Sequence, residues 1–186
     1  MSLAPPSMTD ARRSLVNKHV KIGWLSLLAF LSLGVFLEIL HGLKVGWYLD
    51  VSNETRRMMW TLAHTHGTLL GLIHLGFAAS LAATPILQNG PTRLVSLALL
   101  SAGLLLPTGF FLGGLQFHGG DPGIGILLVP FGALLLLLAV GLIAFSTLGS
   151  PGVGVAQSAV QASSDVVASD HDKRSRGGVS RKARAT

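Results

Sequence analysis

The sequence predicts an all-α integral membrane protein, a four-helix transmembrane bundle with a disordered C-terminal tail. Three observations lead there. Apolar runs of about 20 residues recur four times, and each is long enough as a helix to cross a hydrocarbon core of ~30 Å. Charged residues make up 12% of the chain, against roughly 25% in soluble domains. A soluble domain of 186 residues has no core large enough to hide four such runs. Finally, the basic residues lie almost entirely in the two termini, flanking the apolar segments. That placement belongs to membrane orientation rather than to nucleic-acid binding, in spite of a net charge of +6.

The elements follow in order. Residues 1–18 are polar, with Pro5-Pro6 and Arg12-Arg13, and form a cytoplasmic N-terminal segment. The transmembrane domain spans 19–148, with helices expected at about 19–43, 58–84, 91–115 and 124–148. The first helix is too long for a signal peptide and has no A-x-A cleavage pattern after it, so it reads as an uncleaved insertion signal. KVGWYLDVSNETRR forms the first loop, PILQNGP a short turn and QFHGGDPG the third loop. Pro91 suits the start of the third helix, where a missing N–H costs little, and Pro107 is expected to kink that helix. Residues 149–186 are Gly, Ser, Ala and charge. They cannot bury enough apolar surface to fold alone, which predicts a disordered basic tail.

Orientation comes from Lys and Arg. Arg12, Arg13, Lys18, Lys21, Arg93 and six residues of the tail fall on one side of a four-helix topology; Lys44, Arg56 and Arg57 fall on the other. The asymmetry survives when the distant tail is set aside. It predicts both termini in the cytoplasm, and the membrane is read as a bacterial cytoplasmic one. Trp47 and Tyr48 then anchor the outer interface. The chain has no cysteine, which excludes disulfides, thiolate metal sites and thiol catalysis.

The polar residues converge at one depth. Glu38 and His41 lie near the outer end of the first helix, His64 and His66 one to two turns into the second, and His118 and Asp121 in the third loop. His74 lies deeper, and His19 falls on the cytoplasmic side. Glu38 and His41 are three apart and share a helix face with Gly34. At 100° per residue, His64, Gly67, Gly71, His74 and Ala78 fall within about 80° of one another, whereas His66 points about 160° away from His64. Gly67 and Gly71 let a neighbouring helix or a flat ligand approach closely. His64 and His74 are roughly 15 Å apart along the axis and cannot bind one metal ion.

An ionisable group inside a membrane costs several kcal/mol on insertion scales, so such groups usually face the bundle interior and pair. Glu with neutral imidazole suits a divalent zinc, copper or iron ion, and imidazole is a common axial ligand of haem b. The metal candidates are therefore Glu38, His41, His64, His66 and His118. The cofactor candidates are His64, His66, His74, Gly67 and Gly71. Each also has a plainer reading: a structural Glu38–His41 pair, imidazoles in headgroup water, a buried His74 bonded to a carbonyl, loop residues at His118 and Asp121, and glycines that only pack helices.

AHTHGTLLGLIHL, residues 63–75, resembles the second transmembrane helix of haem–copper oxidase subunit I, where a His-Gly pair opens a short motif. It is also similar to the His-x-His helix of related nitric-oxide-response membrane proteins. The resemblance implies His66 as a haem ligand in His66-Gly67, with His41, His74 or a second copy supplying the other axial position. It covers 13 of 186 residues, and the helices that carry the other ligands of those oxidases have no counterpart in this sequence. Bacterial four-helix membrane proteins with a His-rich second helix share the overall pattern.

The leading expectation is thus a membrane protein that binds a metal ion or haem near the outer face, in a respiratory or metal-handling role. Its surroundings are the lipid bilayer and either a homo-oligomer or a larger membrane complex. The alternatives are a small oligomeric transporter or channel using Glu38 and the histidines, and a non-catalytic accessory subunit. No nucleophile–base pair or phosphate loop points to an enzyme.

Overall fold

A computed structural model describes residues 10–50, 54–83, 91–115, 117–118 and 120–148. The expected N-terminal residues 1–9, the turn at 84–90 and the tail 149–186 lie outside the described residues. Among the described residues, four helices are long and apolar enough to cross a membrane. They are α1 (Asp10–Gly42), α3 (Glu54–Ala83), α4 (Thr92–Leu115) and a final span, Ile124–Leu148, whose first turn Ile124–Leu127 is a 3₁₀ helix that leads into α5 (Leu128–Leu148). A short α2 (Gly46–Leu49) follows α1, and β1 (Phe117–His118) pairs antiparallel with β2 (Asp121–Pro122) ahead of the 3₁₀ turn.

The packing is serial: α1 lies on α3, α3 on α4, and α4 on α5. Half of the most apolar stretch of α4 and 39% of that of α3 are buried, against 17% in α1 and 11% in the final span. The middle pair is therefore the core, and α1 and α5 turn most of their apolar surface outward. This explains composition. α5 has no charged residue and buries only Gly132 and Ala139.

Small residues set the α1–α3 contact. The Cβ that Gly23 lacks would lie 2.9 Å from the Gly71 carbonyl oxygen, so the two backbones touch at these positions. One turn or so along, the ring of Phe30 fills the space over Gly67. The Gly67–Gly71 stripe is thus occupied by α1 itself, the first of the two uses expected for it.

Several boundaries differ from expectation, each for a physical reason. α1 begins at Asp10 rather than near His19, because Arg12, Arg13, Lys18 and Lys21 are good helix formers that extend the helix beyond its apolar run. Pro91 stands just before α4, where its carbonyl accepts from the Val95 N–H. Pro107 is inside α4 and buried, and the helix runs continuously through it. Proline has no N–H for the carbonyl of Gly103, so one bond of the helix is missing there.

α1 ends in a Schellman motif. The Lys44 N–H donates to the His41 carbonyl and the Val45 N–H to that of Leu40, with Lys44 at φ 53°. A left-handed non-glycine residue costs roughly 1 kcal/mol. Lys44→Gly is therefore expected to raise stability by about 1 kcal/mol, read as a higher midpoint of thermal unfolding in detergent. An unchanged or lower midpoint would contradict that assignment of the cap.

Candidate functional site

The end of the bundle that carries α2 holds most of the expected residues. Glu38 and His41 of α1, Tyr48 of α2, and Thr61 and His64 of α3 line one groove of about 690 Å³. The Schellman turn places Tyr48 back over α1, where it packs in a cluster with Leu37, Leu40 and Trp60 and is 4% exposed. Its burial pushes the phenol pKa up; the nearby Arg57 guanidinium opposes this and the Glu38 carboxylate adds to it. Tyr48 therefore stays a neutral hydroxyl beside Glu38. Arg57 also donates to the Leu49 carbonyl (3.3 Å), tying α3 to α2.

His64 is held in one tautomer. Its Nδ1 lies 2.6 Å from the carbonyl oxygen of Phe30, and a carbonyl only accepts, so Nδ1–H donates and Nε2 keeps the lone pair. The imidazole sits where a side chain on Gly34 would be: a Cβ there would be 2.3 Å from Cε1. The expected stripe of Gly34 with Glu38 and His41 thus does two things. Gly34 makes room for His64, and Glu38 and His41 line the same groove.

His66 points elsewhere, as the 100° spacing requires. Its Nδ1–H donates to the Leu62 carbonyl one turn back (2.8 Å), and its ring lies against that of Phe110 on α4 at 4.8 Å. The neighbouring groove edge is shaped by aromatics: Trp60 stacks on Phe111 at 5.6 Å and donates to its carbonyl, while Arg56 sits over both Trp47 and Trp60. Of His118, the backbone pairing with Asp121 is what is described, and Thr55 donates to the Gly120 carbonyl, fastening this turn to α3. Among the described residues, no three His, Asp or Glu side chains come together as a metal-ligand set.

The sequence reading missed the most buried polar cluster. His19, expected on the cytoplasmic side, is 0% exposed and His74 1%; Ser96 of α4 is also buried. His19 Nδ1 lies 2.8 Å from His74 Nδ1, and His19 Nε2 lies 2.8 Å from Ser96 Oγ. Three helices thus meet through three polar side chains. Phe77 stands edge-on against the His19 ring at 4.8 Å. The far nitrogen of His74 occupies the notch at Gly103, where a Cβ would be 2.9 Å from Nε2. A signal was present in the sequence. His19, Gly23 and Leu27 recur at i, i+4 and i+8, the spacing of one helix face, and all three are buried.

No family model, curated protein or solved structure compared with the chain matches it. The geometry of these two clusters therefore carries the functional argument.

Proposed function

We propose that the chain is a multi-pass protein of a bacterial cytoplasmic membrane that binds a divalent metal ion, such as zinc, copper or iron, in the groove lined by Glu38, His41 and His64. Arg12, Arg13, Lys18 and Lys21 in the first part of α1, with Arg93, support an orientation with both termini in the cytoplasm and the groove toward the outer face. One observation supports the metal reading above the others: His64 donates Nδ1–H to the Phe30 carbonyl. Ligating histidines almost always donate their second ring nitrogen in this way, which fixes the tautomer and raises the basicity of the free one. Glu38 supplies the compensating negative charge, and water would complete the shell.

The packing favours a metal ion over a porphyrin. The glycine stripe that would admit a flat ligand is filled by Phe30 and by Gly23 of α1, and His66 has Phe110 against its ring. The role that fits such a site is metal handling or support of a respiratory complex, within a homo-oligomer or a larger membrane assembly.

The test is elemental analysis and equilibrium binding of Zn²⁺, Cu²⁺ and Fe²⁺ to protein purified in mild detergent. One ion per chain is expected. Glu38→Gln and His64→Ala should each weaken binding by about a hundredfold or more, and Gly34→Ala, which displaces the His64 ring, by roughly 10- to 100-fold. His66→Ala should leave binding intact. Equal affinity in the wild type and His64→Ala would sink the reading. A Soret band lost in His66→Ala would replace the metal ion with haem.

A further inference from the structure

We propose that His19, His74 and Ser96 form a buried proton-binding site that holds one proton per chain. It shares no residue with the groove of Glu38, His41 and His64 and stands or falls independently of it.

The geometry at His19 is the reason. Among the histidines whose side chains are described, it is the one with a hydrogen-bond partner on both ring nitrogens: His74 Nδ1 on one and Ser96 Oγ on the other, each at 2.8 Å. Both partners can either donate or accept. In the neutral site, one His19 nitrogen donates and the other accepts. When a proton is added, both His19 nitrogens become donors, toward the Ser96 hydroxyl oxygen and the unprotonated Nδ1 of His74. His74 then carries its own proton on Nε2, the nitrogen that faces the notch at Gly103. No heavy atom has to move between the two states, because the hydroxyl and the tautomers rearrange in place. A polar contact that served only to lock helices together would need to satisfy one state.

The stoichiometry follows from the same distance. A second proton on His74 would bring two imidazolium rings together across a 2.8 Å contact, and like charges that close do not both form. The pair titrates as a unit with room for one proton. The charged and titratable groups bearing on His19 are His74 of α3 and Lys18 of α1, while α4 contributes the neutral hydroxyl of Ser96. The two aligned acceptors are what make the charged form attainable, because hydrogen bonds to an ionised group are about twice as strong as neutral ones.

¹⁵N-histidine NMR of the full-length protein in lipid nanodiscs, titrated from about pH 8 to about pH 4, reads the site directly. The expected result is that His19 alone of the pair acquires the imidazolium pattern, with an uptake of one proton that is lost in His19→Gln. Ser96→Ala removes one of the two acceptors and should lower proton affinity about tenfold, a downward shift of the midpoint by about one pH unit. Ser96→Thr, which keeps the hydroxyl, should restore the wild-type midpoint. Three results would overturn the proposal: His19 remaining neutral throughout while the protein stays folded, both rings titrating independently, or an unmoved midpoint in Ser96→Ala.

Discussion

Gly67→Ala is expected to destabilise the bundle by about 2 kcal/mol, whereas Gly76→Ala on the same helix should be neutral or mildly stabilising. Helix propensity predicts the same small gain at both positions, because alanine is roughly 1 kcal/mol better than glycine within a helix. Packing reverses the sign at Gly67. A Cβ there would sit 2.2 Å from the ring of Phe30, whereas at Gly76 it would meet nothing within 4 Å. An aromatic ring cannot yield a carbon's width without moving the helix that carries it, and overpacking of this kind costs roughly 1–3 kcal/mol. The effect should also reach the groove, since α1 carries Glu38, His41 and the Phe30 carbonyl that holds His64. Reversible unfolding of both variants in a mixed detergent series would measure the difference. Equal stability of Gly67→Ala and Gly76→Ala would show that α1 does not rest on α3 through Phe30.

The contrast between these glycines marks how far the sequence could be read. The 100° arithmetic placed His64, Gly67, Gly71, His74 and Ala78 on one face; the last four are buried and His64 is half-buried. It also separated His64 from His66, which face α1 and α4 respectively. Periodicity succeeds there because it needs only the helix itself. It fails where position depends on a partner. The arithmetic puts Gly67 and Gly76 on opposite faces, but that the space over Gly67 is filled by the ring of Phe30 is a fact about another helix. Likewise, Tyr48 reads as an interfacial anchor, yet the Schellman turn at Lys44 swings it into the cluster beside Glu38. The largest miss, His19, comes from treating the apolar run as the helix. Lysine and arginine stems extend a helix past its hydropathic end, and a histidine near that end is then carried inside.

The second large effect belongs to that missed cluster. His19→Leu is expected to cost more than His74→Leu, and the combined variant His19→Leu/His74→Leu/Ser96→Ala to lie within about 1 kcal/mol of wild type. His19 is the middle member: removing it orphans both the His74 Nδ1 and the Ser96 hydroxyl, whereas removing His74 orphans one nitrogen of His19. An unsatisfied buried polar group costs roughly 1–3 kcal/mol, while replacing all partners by apolar groups of similar shape is nearly neutral. In a bilayer these values would be compressed, since interhelical hydrogen bonds in membranes average about 0.6 kcal/mol when the unfolded reference also finds partners. The order of the three variants survives that compression even where the magnitudes shrink. Unfolding by steric trapping in bilayers gives the ranking. If the triple variant proves as unstable as His19→Leu, then the fit of His74 into the notch at Gly103 and of His19 against Phe77, rather than hydrogen bonding, joins α1, α3 and α4. If the triple variant is stable, the three polar side chains add little to the fold, and a purely structural role would not account for their presence in its most buried layer.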